Sequence, residues 1–275
     1  MGELVSIVMP AYNNEEYVAG AIRSVLAQTH RDWELLFVDD CSTDRTLEIV
    51  RRFRDPRIRI FRNEINSGAA LSRNRGLREA QGKWIAFLDA DDWWHPEKLA
   101  RQLAFMDHGG HSFSCTDYRI QLNGVWQDVV WTGPLVTNKW RMYNYAYFST
   151  ITVMYDREKV GLIQIADLKK NNDYAMWLKI IDKAHCHRLP ECLSFYIKHD
   201  GSISSGSKLK LIRWHYALFR QGQGFGLAVS SLLTLNNLFF GVVKKCFCKR
   251  ATTEEDCRMT ETTETICNRT AEVET

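Results

Sequence analysis

The feature that most constrains this chain is an alternation of short apolar runs with amphipathic ones over its first ~95 residues. Val5-Ser6-Ile7-Val8-Met9, Leu35-Leu36-Phe37-Val38, Ile58-Arg59-Ile60-Phe61 and Trp84-Ile85-Ala86-Phe87-Leu88 read as strands. Between them, Glu16 to Gln28 places Val18, Ala21, Ile22, Val25 and Leu26 at helical spacing. Ser42-Thr43-Asp44 is suited to cap a second helix, and Ala69 to Ala80 reads as a third, closed by Gly82. Such alternation predicts an α/β fold with a mostly parallel central sheet and helices on its faces. In sheets of this kind ligands bind outside the carboxyl ends of the strands. Three of the four strands end in candidate ligand groups: Pro10-Ala11-Tyr12-Asn13, Asp39-Asp40 and Asp89-Ala90-Asp91.

Each group has a chemical and a plain structural reading. Asp89 and Asp91 are one residue apart and can converge, and two hard oxygens at a strand end suit Mg²⁺ or Mn²⁺. They equally suit a solvated acidic turn before the helix after Pro96. Asp40 either caps the next helix or accepts hydrogen bonds from a nucleobase N–H or ribose hydroxyls. Tyr12 either stacks on a flat base or packs in the core. Asp173 opens a helix, where a carboxylate also complements the helix dipole. Trp177 lies one turn later on the same face, as a wall of a ligand site or as a core residue. No G-x-G-x-x-G follows a strand, which disfavours a dehydrogenase. Pro10-Ala11-Tyr12-Asn13-Asn14 is not the Gly-rich phosphate loop that a sugar-phosphate nucleotidyltransferase needs.

Beyond Pro96 the pattern loosens. A helix to Asp107, a strand over Phe113 to Leu122, an irregular Trp- and Tyr-rich stretch from Gly124 to Ser149, a strand at Ile151 to Tyr155, a helix over Asp173 to Ala184 and an extended segment at Leu189 to Ile197 are expected. The aromatic stretch suits either an acceptor cleft or ordinary packing. Lys208 to Gln221 reads as an amphipathic helix, and Phe225 to Val243 runs without a charge. Charge is partitioned sharply. Residues 1–206 balance, 207–250 carry eight bases and no acid, and 251–275 carry seven acids against two bases. The expected organisation is a regularly alternating α/β half (1–95), a looser second half (96–206), basic membrane-associating helices (207–250) and an acidic disordered tail (251–275). Ser230, Ser231, Thr234, Asn236 and Asn237 are costly in hydrocarbon, so an interfacial or core-packed helix is expected rather than a span. A net charge of +3 gives no argument for nucleic acid. The eight scattered cysteines read as free thiols in a reducing cytosol, and Met1-Gly2-Glu3-Leu4 does not begin a signal peptide.

Several motifs in register resemble family 2 glycosyltransferases of the GT-A fold. They are Val5 to Asn13, Val38-Asp39-Asp40-Cys41-Ser42-Thr43-Asp44, Asn66-Ser67-Gly68 with Ser72-Arg73-Asn74, Phe87 to Asp92, Asn172 to Leu178 and Tyr196 to Ser205. The flavour is that of bacterial enzymes building teichuronic acid, capsule or O-antigen chains. The resemblance implies a metal-dependent inverting transfer from a nucleotide-sugar, UDP-linked, to a saccharide or lipid-linked saccharide acceptor at the anionic cytoplasmic face of the plasma membrane. It implies that Pro10, Ala11 and Tyr12 meet the uracil, that Asp40 binds its N3–H, and that Arg73 and Asp89 lie at the nucleotide. It further implies that Asp91 contacts the Mn²⁺ or Mg²⁺ ion, with His199 as an additional ligand or diphosphate donor, and that Asp173 is the catalytic base. One departure stands out: Asn172 occupies a position that is often Glu in the family. It is the single support for a non-catalytic sugar-nucleotide-binding protein of the same fold.

Overall fold

Four apolar runs become parallel strands because both of their faces are covered. In the computed structural model, which describes residues 3–166, 168, 170–198 and 208–268, β1 (Val5–Ala11) is buried along its whole length. Val8 faces one core, while Ile7 and Met9 face the other. The first half continues α1 (Val18–Leu26), β2 (Trp33–Asp39), α2 (Thr46–Arg52), β3 (Ile58–Arg62), α3 (Ala69–Glu79) and β4 (Trp84–Phe87). β1 pairs in parallel with β2 and β4, and β2 with β3. The expected alternation is therefore realised. Gly76 lets α3 lie close on β1, since a Cβ there would meet Val8 Cγ1 at 2.7 Å. That approach fixes Arg73, one turn earlier, against the strand ends.

The second half extends the same sheet. It comprises β5 (Trp93–Trp94), α4 (Lys98–Gly109), β6 (Phe113–Leu122), β7 (Val125–Trp131), β8 (Val136–Thr137), α5 (Lys139–Asn144), β9 (Met154–Asp156), α6 (Arg157–Val160), α7 (Asn172–Ile180) and β10 (Cys186–Lys198). Among the described residues the path is β11 (Lys249–Ala251)-β7-β6-β9-β4-β1-β2-β3, with β10 parallel to β6 and antiparallel to β5 and β8. Part of the stretch expected to be irregular is thus strand, because β7 pairs with β6 and is half-buried along most of its length.

The C-terminal segment comprises α8 (Lys208–Ala217) with a wider turn over Leu218–Gly222, α9 (Leu227–Phe247), β11 (Lys249–Ala251) and α10 (Glu254–Cys267). The expectation of a disordered tail over 251–275 is corrected here. β11 adds to β7, and α10 starts on a capping box in which Thr253 and Asp256 satisfy each other's backbone N–H. Thr260 and Thr263 are buried, with hydroxyls that donate to the carbonyls of Asp256 and Met259. Apolar periodicity therefore did not need to announce this helix. Residues 269–275 of that tail lie outside the described residues.

Candidate active site

The parallel register puts Ala11 beside Asp39, so the segments leaving β1 and β2 emerge together. They are stitched to each other. Asn13 N donates to Ser42 Oγ at 3.0 Å, Thr43 N to Asn13 Oδ1 at 2.8 Å, Asn14 N to Thr46 Oγ1 at 2.7 Å and Glu15 N to Asp44 Oδ2 at 3.0 Å. Asn13 takes a left-handed conformation (φ 52°), which asparagine tolerates better than most residues. Pro10 and Ala11 are buried at the strand end, whereas the Tyr12 side chain is half exposed above them. Its ring stands free of the core, the geometry a stacking platform needs.

Asp40 is buried, and its carboxylate organises the connection from β3 to α3. Oδ1 accepts from Asn63 Nδ2 at 2.7 Å and Ser67 N at 2.9 Å, and Oδ2 accepts from Gly68 N at 2.7 Å. Gly68 has a positive φ of 83°, and no side chain fills the space beside it. The helix-capping reading of Asp40 is not what the structure shows; Asp44 accepts from Thr46 N at the start of α2 instead.

Arg73 is the centre of the site. Its guanidinium is buried and donates from Nη2 to Asp89 Oδ1 at 2.5 Å. Burial opposes its charge, but the fields of Asp89, then Asp173 and Asp91, outweigh burial and raise its pKa. Asp89 thus bonds the guanidinium directly, and the charges of its neighbour Asp91 and of Asp173, remote in sequence, act on it as well. Arg73 Nε is buried without a hydrogen-bond partner among the described residues. Asp92, not singled out by the sequence reading, is fully buried and accepts from Ile197 N at 2.8 Å. Burial, followed by the charges of Asp91 and Asp89, pushes its carboxyl well above the usual range, and its bond to Ile197 N ties β10 to the acidic turn.

Asp173 lies in the first turn of α7, which begins after Asn171 in a left-handed conformation (φ 57°). Its Oδ2 accepts from Thr150 Oγ1 at 3.0 Å and its Oδ1 from Tyr174 N at 2.8 Å. Thr150 also escaped the sequence reading, since a polar residue in an irregular stretch gives no signal. Asn172 accepts from Asp173 N at 2.7 Å and donates to Leu168 O, which is a helix-start role. Tyr145 also feels the charge of Asp173.

Trp177 requires a correction. It is 1% exposed and packs against Phe87, Phe113 and Phe148, so it cannot wall a sugar site. Sharing a helical face with Asp173 does not help, because one turn further along, that face enters the core. The aromatic stretch divides similarly: Tyr143 and Phe148 are core, while Tyr145 and Tyr147 meet edge to face beside the site. His199 lies outside the described residues. No group of three His, Cys, Asp or Glu that could hold a metal occurs among the described residues. Asp89 and Asp91 still fit a hard divalent ion, because such ions keep several positions for water and phosphate oxygens.

The model of the family described as glycosyl transferase family 2 matches residues 6–160. The chain belongs to that family. This glycosyltransferase is 37% identical over 222 residues to TuaG of Bacillus subtilis, a protein assigned by name to teichuronic acid biosynthesis; the match spans 79% of this chain and 88% of TuaG. It is 34% identical over 253 residues to WfaP of Escherichia coli, spanning 90% of this chain and 98% of that one. WfaP is named a UDP-Glc:α-D-GlcNAc-diphosphoundecaprenol β-1,3-glucosyltransferase. Among solved structures, TarS residues 1–349 of S. aureus with UDP-GlcNAc superposes with a TM-score of 0.70 at 23% identity, covering 86% of this chain and 72% of TarS. The mannosyltransferase PcManGT of Pyrobaculum calidifontis, with GDP-Man and Mn²⁺, gives 0.57 at 16% identity over 97% of this chain and 81% of that one. The fold of this family 2 enzyme is therefore GT-A, as its motifs implied.

Proposed function

We propose that this glycosyltransferase moves a sugar from a UDP-sugar, with inversion, to a hydroxyl of a lipid-linked saccharide at the cytoplasmic face of a membrane. The observation that carries the reading is the buried Arg73 guanidinium facing Asp89, Asp91 and Asp173 together. The names of the relatives, which include a UDP-sugar donor and a diphospholipid-linked acceptor, support the substrate classes.

Pro10, Ala11 and Tyr12 form the base platform, with the exposed Tyr12 ring as the stacking face. Asp40 Oδ2 holds one donor, Gly68 N, and a carboxylate oxygen has room for a second, so it would accept the base N–H there. Asp89 and Asp91 would hold Mn²⁺ or Mg²⁺, and His199 is proposed alongside them. When bound, the ion supplies charge neutralisation on the diphosphate leaving group. Arg73 adds a fixed positive charge beside it and balances the carboxylates when the diphosphate departs. Asp173 takes the proton of the acceptor hydroxyl as that oxygen attacks the anomeric carbon. The C–O bond to the diphosphate breaks on the opposite face, which inverts the centre. The Thr150 hydroxyl fixes the Asp173 rotamer for this step. The N-terminal half thus takes the donor, and residues 96–206 supply the base and the acceptor wall.

The test is a screen of UDP-sugars for UDP release, with Mn²⁺, Mg²⁺ or chelator, using membrane-extracted acceptor lipids. Wild type should release UDP only with ion and acceptor present. Asp173→Asn should lose about 10²–10⁴-fold in turnover while retaining UDP-sugar binding by calorimetry. Near-normal turnover of Asp173→Asn would remove that carboxylate from the mechanism.

A further inference from the structure

Helix α9 is amphipathic in the reverse sense. Its polar stripe, Ser230, Thr234, Asn237 and Lys244, is buried against the body. Asn237 Nδ2 donates to Tyr143 O at 3.1 Å and to Tyr174 Oη at 2.7 Å, and Lys244 Nζ donates to Ala146 O at 3.0 Å. The outward face is apolar: Leu227, Leu232, Leu235, Phe239, Val242 and Phe247 are each 64–79% exposed. The face does not stop at the helix edge. α5 and α8 both pack on α9, and they present the exposed Trp140 and the exposed Leu211 and Ile212. So many exposed apolar side chains on one helix face and on the two helices packed beside it mark a docking site.

We propose that this face docks on the surface of an anionic phospholipid bilayer, with α9 lying in the interface plane. This rests on the acceptor being lipid-linked. Charge complementarity names the occupant. Residues 201–250 contain no acid, and Arg213 and Arg220 are exposed on the flanking segment. Such a surface attracts anionic headgroups and repels a second copy of itself across a two-fold axis. α9 has the length and composition to cross a membrane. Crossing would strip its buried Asn and Lys groups of their carbonyl partners, so the helix lies flat. The Asn237–Tyr174 bond then ties the docked helix to the residue next to Asp173, holding the base close to the membrane that carries the acceptor.

The test is co-sedimentation of the full chain with vesicles of phosphatidylcholine alone or with phosphatidylglycerol, at low and high salt. Wild type should partition at least ~10-fold more strongly onto the anionic vesicles, and salt should reduce this several-fold. Leu232→Ser/Leu235→Ser/Phe239→Ser should lose at least ~10-fold of the binding with a melting temperature within a few degrees of wild type. Equal binding of variant and wild type overturns the proposal, as does wild type ignoring both vesicles. A dimer that the variant breaks, without vesicle binding, assigns the face to a second copy and also overturns it. UDP release with detergent-dispersed acceptor is measured in parallel on wild type. Release without vesicle binding sinks the docking alone, and vesicle binding without release sinks the catalytic reading alone.

Discussion

Arg73 shows what a single residue type has to supply. A planar fork bonded to Asp89 leaves the rest of the guanidinium to face Asp91 and Asp173. A lysine carries the same charge at one point and cannot serve three directions at once. Arg73→Lys should therefore lower kcat/KM for UDP release by at least ~10-fold and stability by about 1–3 kcal/mol, read from initial rates and urea melts. An unchanged kcat/KM would mean the guanidinium is structural only. Lys98 makes the opposite case, a buried amine with no carboxylate bonded to it among the described residues. It is fully buried, donates to Gln102 Oε1 at 2.8 Å and lies 4.1 Å from the Trp94 ring centroid. Burial pulls its pKa from 10.5 down to about 7. Between those values the unfolded chain holds the proton and the folded one does not, so this lysine makes stability rise with pH and leaves it lowest below about pH 7. Lys98→Met should flatten that rise. Parallel stability profiles of variant and wild type from pH 6.5 to 9.5 would refute the assignment.

Elements were legible where one strand or helix decides its own environment. The four apolar runs of the first half, their parallel order and the acidic residues at their ends follow from pattern alone, because both faces of each strand are covered whatever follows. The resemblance implied that Asp89, Asp91 and Asp173 gather at one site and that Arg73 lies near the nucleotide; that the charges of all three act on Arg73 itself was not part of that reading. Thr150 and Asp92 were not legible, since each earns its place through a partner far along the chain, Asp173 and Ile197. The same holds for α9. Its Ser, Thr and Asn residues looked like a penalty against hydrocarbon, yet Ser230 and Thr234 donate to carbonyls of their own segment, and Asn236, Asn237 and Lys244 to carbonyls of α5 and the loop after it. Their role as the inner face depends on where those carbonyls lie. Asn237 joins this face to the base helix α7, so its loss should act on the chemistry more than on the donor. Asn237→Leu should lower kcat several-fold and stability by about 1–3 kcal/mol, leaving the UDP-sugar KM within about twofold of wild type. A rise in KM at constant kcat would place the effect in the donor half instead.

At the scale of the whole molecule, the C-terminus closes the structure back on its beginning. Arg23 of α1 donates to Cys267 O at 3.0 Å, Arg119 of β6 to Thr260 Oγ1 at 3.0 Å, and Trp126 of β7 to Glu264 Oε2 at 3.2 Å. α10 thereby spans both halves of the sheet by polar contacts, and hydrophobic patterning is blind to a helix held this way. The clasp has an electrostatic anchor at Asp256. Asp256 accepts from Arg250 Nη1 at 2.5 Å and Nη2 at 2.9 Å, and Arg250 also faces the fully buried Asp117. Burial would raise the Asp256 pKa, but the Arg250 fork and the Thr253 donors outweigh it and pull the carboxyl down from 3.8 to about 2. The sign follows: its stabilisation is complete above about pH 4 and is lost as pH falls toward 2. Asp256→Asn should thus lower stability by about 1–3 kcal/mol at pH 7, with the gap to wild type narrowing as pH drops through that window. Urea unfolding of both proteins at pH 7, 4 and 2.5 measures it. A gap that stays constant across the three values would show that the clasp rests on its neutral hydrogen bonds, with the Arg250–Asp256 charge contributing nothing.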